Sequence, residues 1–141
     1  MITACFYGHH LVASRLLQIA TYLEEKHKKT NLVKQLLETY TFEQKDGQSV
    51  NAIINACMCG SLETVKILLH HKADINAHTR PTNYNLLIIS FPHIRLYEYF
   101  RENNIFPLEY WKQAYEKLKD EKMIRCVQLI KDHITQQSLL D

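Results

Sequence analysis

Ala56-Cys57-Met58-Cys59-Gly60-Ser61-Leu62-Glu63-Thr64-Val65-Lys66-Ile67-Leu68-Leu69-His70-His71-Lys72-Ala73-Asp74-Ile75-Asn76-Ala77 is the stretch that decides the fold. Small and apolar residues lead up to Gly60, which accepts positive φ without a Cβ penalty and so predicts a sharp turn. Beyond it, Val65, Leu68 and Leu69 are three and four positions apart, the stripe of an amphipathic helix with one buried face. Two helices meeting at Gly60 make a hairpin.

The same stripe recurs along the chain at intervals of roughly thirty residues, as stacked repeats require. It appears as Val33, Leu36 and Leu37; as Leu96, Tyr99 and Phe100; and as Cys126, Leu129 and Ile130. Four outer helices are predicted. Upstream of each lies a more apolar stretch: residues 10 to 26, Val50 to Met58, Tyr84 to Ser90, and Leu108 to Leu118. Pro92 suits the first turn of the third outer helix, where its missing donor costs little. Asp46-Gly47 and the segment Ala77 to Asn83 hold turn residues between units. The expected units are 1–45, 46–77, 78–105 and 106–141 of a single domain.

The stretch from Ala56 to Ala77 closely resembles the second half of an ankyrin repeat: two small residues, a glycine, an acidic residue before an apolar residue, a leucine run, and a small-Asp-apolar-Asn-Ala turn. The resemblance implies an all-α, ankyrin-repeat-like solenoid of stacked hairpins. The Thr-Pro-Leu-His sequence that usually opens the inner helix is replaced by Asn51-Ala52-Ile53-Ile54 and by Thr82-Asn83-Tyr84-Asn85. A less regular array is expected, because that Thr and His normally hydrogen-bond neighbouring turns. Ala4-Cys5-Phe6-Tyr7-Gly8-His9-His10 also resembles the turn, with Leu16-Leu17 as its leucine pair. Residues 9 to 27 then read as one long helix followed by an outer helix at 30 to 40; an irregular unit squeezed between them is the other reading.

The chain has 141 residues and a mass of 16.7 kDa, with 46% hydrophobic and 23% charged residues, enough to bury a core. Three glycines and three prolines disfavour sandwiches, barrels and glycine-lined phosphate sites. A net charge of +2 is too weak a field to imply nucleic-acid or membrane partners. The cluster Lys26, His27, Lys28, Lys29 and Lys34 reads as a solvated helix end. Four unevenly spaced cysteines among small or apolar neighbours suit free thiols in a reducing cytosol. With no membrane-length apolar run and no signal-peptide pattern, the expected setting is cytoplasmic.

Cys57, Cys59, His70 and His71 offer the one metal-binding or enzymatic alternative, two sulfurs and two nitrogens. The two thiols of a Cys-x-Cys pair on a helix point about 200° apart, so structural thiols are expected, with no metal and no cofactor. His9 and His10 fit a helix start, and Glu24, Glu25, Asp120 and Glu121 beside lysines fit solvated surface. No Gly-x-Ser-x-Gly, Gly-Lys-Ser/Thr or His-Glu-x-x-His sequence is present, and no enzyme activity is expected.

By resemblance, the function is recognition of a partner protein through a concave face and the tips between units. Candidate contacts are Lys45, Gln48, His78, Arg80 and Asn83 at the tips and Met58 on an inner helix. In the aromatic cluster Tyr97, Tyr99, Phe100, Phe106, Tyr110, Trp111 and Tyr115, core filling competes with interface anchoring, and Tyr97 and Trp111 join the candidates. The expected molecule is a monomer, alone or within a larger adaptor or a secreted effector acting in a host cytosol.

Overall fold

The computed structural model describes residues 1–28, 30–43 and 47–140. In chain order these form α1 (Ile2–Phe6), α2 (His10–His27), α3 (Leu32–Glu38), β1 (Thr41–Glu43), β2 (Gln48–Val50), α4 (Ala52–Cys59), α5 (Leu62–His70), α6 (Leu86–Ile89), α7 (Ile94–Glu102), α8 (Leu108–Leu118) and α9 (Ile124–Leu140). The inner helices follow one another in space, α1 on α4, α4 on α6 and α6 on α8. Outside them, α2 lies along α5 and α7 along α9. This is the all-α stack of helical hairpins that the stripes predict, and it is consistent with the ankyrin-like helical repeat that the stretch from Ala56 to Ala77 resembles. Neighbouring hairpins shelter each other's apolar residues, and Ile53, Ile54, Leu68, Leu86, Leu87, Leu96 and Ile130 are almost fully buried. Each contributes about 1.5–3 kcal/mol relative to exposure.

The turns set the register. Gly8 and Gly60 both adopt left-handed backbone, with φ of 69° and 73°. Equivalent hydrogen bonds close them, His9 N–H to Ala4 O at 2.8 Å and Ser61 N–H to Ala56 O at 3.1 Å. The first hairpin is therefore α1 with α2. The segment Asn31 to Leu37 is not an outer helix of the stack: α3 packs on α2 and α4, and α2 occupies the place beside α5. Its stripe is real but faces inward from a connecting segment, with Leu37 buried. Glu24, expected as solvated surface, accepts the Val33 N–H at 2.9 Å and so satisfies a free donor in the first turn of α3.

Successive turns are joined by side-chain rungs. The Cys59 thiol donates to Cys5 O at 3.1 Å, His93 Nε2–H to Met58 O at 3.0 Å, and the Cys126 thiol to Pro92 O at 3.2 Å. Pro92 lies outside the helix it was expected to start, since α7 begins at Ile94 with His93 at its N-cap.

Asparagine does the work of the missing threonine. Asn51 Oδ1 accepts the Ile54 N–H at 3.1 Å, and Asn85 Oδ1 accepts the Ile88 N–H at 3.0 Å. The third unit thus opens at Asn85-Leu86-Leu87-Ile88, three residues later than Thr82-Asn83-Tyr84-Asn85 would place it. Its inner helix is a single turn, too short to satisfy its own carbonyls. Ser90 Oγ donates to Leu86 O at 2.7 Å, and the Tyr97 hydroxyl donates to Leu87 O.

That bond explains a correction. Tyr97 and Trp111 are 0% and 1% exposed, so neither anchors a partner. Their rings lie 6.3 Å apart, Trp111 meets His133 at 4.3 Å with the rings tilted by 43°, and Phe100 meets Phe106 edge-on at 4.8 Å. Aromatic volume fills the space beside the shortened α6.

Candidate partner-docking face

Two hairpin tips project from the inner helices. In the first, β1 and β2 pair antiparallel, Thr41 opposite Val50 and Glu43 opposite Gln48. In the second, His78 bridges Asn85, and Asn83 takes the left-handed conformation, with φ of 60°, at the reversal. Asn83 N–H donates to Thr79 O at 2.8 Å. The tips are bonded to each other, Ser49 N–H to Arg80 O at 2.7 Å and Arg80 N–H to Ser49 O at 3.3 Å.

Where the second tip meets the inner helices, Gln48, Met58, Thr79, Thr82, Tyr84 and Ile89 line a groove of about 220 Å³. Its polar edge is a directed chain of hydrogen bonds. Tyr84 N–H donates to Thr79 Oγ1 at 3.1 Å, and Thr82 Oγ1 donates to Gln48 Oε1 at 2.8 Å. A hydroxyl has one proton, so Thr79 must donate to Thr82 across their 2.5 Å contact. Met58, Tyr84 and Ile89 supply apolar wall. Lys117 stands 5.0 Å from the Tyr84 ring, and its hydrogen bond to Tyr84 raises its pKa.

A second cleft, of about 400 Å³, lies on the other side of the tips, with Glu38, Tyr40, Asp74, His78 and Arg80 among its walls. The Arg80 guanidinium covers the Tyr40 ring at 4.0 Å, and the Tyr40 hydroxyl donates to His78 O at 3.2 Å. The cation is held in place against an aromatic face, which lowers the entropy lost when it meets a partner.

The structure gathers Gln48 and Met58 in the groove and His78 and Arg80 in the cleft, with Asn83 at a tip between them. Lys45, like Asp46 and Lys29, lies outside the described residues. Reading the sequence misses Tyr84, Thr82, Ile89 and Tyr40. A Tyr next to the Asn83 turn is the available signal for Tyr84, hidden when residues 84 to 90 are read as helix.

Cys57 and Cys59 serve different neighbours. Cys57 is fully buried, and burial pushes its thiol up to about 12. Cys59 bonds the first turn, while His70 and His71 line the groove where α5 meets Ser14 and Gln18 of α2. Among the described residues, no three His, Cys, Asp or Glu side chains are grouped to hold a metal ion, so nothing favours the metal-binding alternative. No described helix is long and apolar enough to cross a membrane.

The fold and this face define a helical-repeat protein with projecting tips. The family model for the ankyrin repeat matches residues 50–80, which supports an ankyrin-repeat protein. No curated protein and no solved structure matches the chain. The ankyrin repeat is a general protein–protein interaction module.

Proposed function

We propose that this chain recognises a partner protein with the face formed by the two tips, the groove around Met58 and Tyr84, and the exposed surface of α8. Each helix pair (α1/α2, α4/α5, α6/α7, α8/α9) is read as a divergent ankyrin unit, the second being the most regular. The observation that carries the reading is the convergence of Gln48, Met58 and Tyr84 on one groove, with Arg80 held against Tyr40 on the adjoining tip. Apolar wall, preset hydrogen-bond groups and an immobilised cation are what a docking surface needs to gain more from contact than it loses in ordering. The face is complete within one copy, and such a module would serve an adaptor or a host-directed effector equally. Buried free thiols at Cys5, Cys57 and Cys126 support a reducing, cytoplasmic setting.

The test is affinity capture of a binding protein, followed by calorimetric titration of that protein against the wild type and a Met58→Lys, Arg80→Glu variant. The variant should bind at least about tenfold more weakly, equivalent to about 1.4 kcal/mol. Equal affinity for every captured protein would reject this face.

A further inference from the structure

Of the three rungs that join successive turns, one sets a thiol beside a residue that carries a second thiol. At the later seams the acceptors are Met58 O and Pro92 O, whose side chains hold no nucleophile of that kind. At the first seam the Cys59 thiol donates to Cys5 O at 3.1 Å. Standard bond lengths then keep Cys59 Sγ within about 5.5 Å of the Cys5 Cα, and the two α-carbons within about 8 Å of each other. Those limits hold for a fully straight contact. Any bend at the sulfur or the oxygen brings the α-carbons toward the roughly 4.4–6.8 Å that a disulfide spans, and α1 lies directly on α4.

The four cysteines also differ in access. Cys5 and Cys57 are 0% exposed and Cys126 is 1% exposed, whereas Cys59 is half-buried. Cys57, two positions before Cys59 on α4, points about 200° away from it and is hydrogen-bonded to Ser90. Cys126 belongs to the last seam. Cys59 is thus the thiol that a small oxidant reaches first, and Cys5 is its neighbour. The two sense each other: burial pushes the Cys5 thiol up to about 11, the terminal ammonium opposes this, and Cys59 adds to the rise.

A rung alone does not call for a thiol here, since a thiol is a weak donor and an imidazole serves the second seam. The first seam differs in what it encloses. Cys5 and Cys59 are 54 positions apart, with α2 and α3 between them. A covalent bond that closes a loop of that length removes much of the freedom of the unfolded chain.

We propose that Cys59 is a peroxide-sensitive modification site and Cys5 its resolving thiol, so that oxidation staples the first hairpin to the second. The Cys59 thiolate attacks one oxygen of hydrogen peroxide. The O–O bond breaks, Cys59 becomes a sulfenic acid, and the other oxygen leaves as water once protonated. Cys5 Sγ then attacks Cys59 Sγ. The S–S bond forms, the S–O bond breaks, and the departing hydroxide takes the Cys5 proton and leaves as a second water. Two thiols lose two electrons and two protons, and the peroxide is reduced by the same two electrons. Thiols of the glutathione class reverse the step by exchange.

Mild hydrogen peroxide at neutral pH, followed by peptide mapping without reductant, tests this on the folded chain. The wild type should lose two of its four free thiols, yield a linked Cys5–Cys59 peptide pair, and recover all four thiols with dithiothreitol. The urea midpoint should rise in the linked form and return on reduction. Cys59→Ser should keep its remaining thiols at the same dose, with no change of midpoint. Should that variant fail to fold, mapping of the unmutated chain decides the matter by itself. Four thiols that survive the dose overturn the proposal. So does Cys59 recovered as sulfinic acid or joined to another copy while Cys5 stays free, a pair that contains Cys57 or Cys126, equal thiol loss in Cys59→Ser, or a linked form whose midpoint does not rise.

Discussion

Gly60 lies so close to His93 that a Cβ added to it would stand 2.4 Å from the imidazole Nδ1. At Gly8 the same addition meets only Ser61, at 3.5 Å. Both glycines have positive φ, so alanine costs about 1–2 kcal/mol at either on conformational grounds. At Gly60 the ring must also move, breaking its bond to Met58 O for about a further 1 kcal/mol. Urea unfolding should therefore show Gly60→Ala destabilised by about 2–3 kcal/mol and Gly8→Ala by about half of that. Equal losses would mean that His93 does not join the turns.

Removing the asparagine caps should cost about 1 kcal/mol at each helix start for Asn51→Ala and Asn85→Ala. Asn85 carries a second role, because its Nδ2 donates to Gln113 Oε1 at 3.0 Å and ties α6 to α8. Asn85→Asp keeps the cap and loses this donor. Its effect should shrink in a Gln113→Ala background, whereas Asn51→Ala should cost the same in both backgrounds, as a double-mutant cycle in urea would show.

Stability should fall as the solution is acidified below neutrality. His133 is buried against Trp111, and among the described residues its Nδ1 has no hydrogen-bond partner. Burial first, and Arg101 second, lower its pKa. Below about 6.5 the unfolded chain binds a proton that the folded one resists, so stability rises with pH and is lost as pH drops through the ordinary histidine range. His71, lowered by burial and by His70, adds in the same direction. Urea midpoints between pH 7.5 and pH 5, about the range over which histidine titrates, should decline for the wild type and less for His133→Phe.

The alkaline side should mirror this. Burial pushes the Cys5 thiol up to about 11 and the Cys57 thiol up to about 12. Above the ordinary thiol range the unfolded chain releases protons that the folded chain keeps, so stability is whole at neutral pH and is lost as pH rises toward those values. A Cys57→Ala variant should lose less stability than the wild type between neutral and alkaline pH. Under native conditions a thiol reagent should modify Cys59 well before Cys5 or Cys57; simultaneous labelling would contradict the burial.

The stripes Val65-Leu68-Leu69, Leu96-Phe100 and Leu129-Ile130 were legible because burial on one helix face leaves a period in the sequence. Val33-Leu36-Leu37 has the same period and a different place, since periodicity reports that a face is buried and not which neighbour buries it. The true counterpart of Gly60 is Gly8, whose motif was visible but lies farther from it than a regular spacing allows. Tyr97 and Trp111 show a second limit. Whether an aromatic ring is core or surface depended on α6 being one turn long, and that followed from Asn85 capping where Thr82 was expected to. Gln48, Met58, His78 and Arg80 were reachable as tip and inner-helix positions. Tyr84 and Ile89 were not, because their exposure depends on the shifted start of α6.

Because the rungs at Cys59, His93 and Cys126 join turn to turn, the phase of the stack is held at the seam between inner and outer helices. The connections on the opposite side are released from that duty. This is how the chain accommodates α3 and a full eighteen-residue α2 between its first two turns without disturbing the order beyond them. Evolution can lengthen or trim those outlying connections, and with them the reach of the tips, while the scaffold that presents them stays in step.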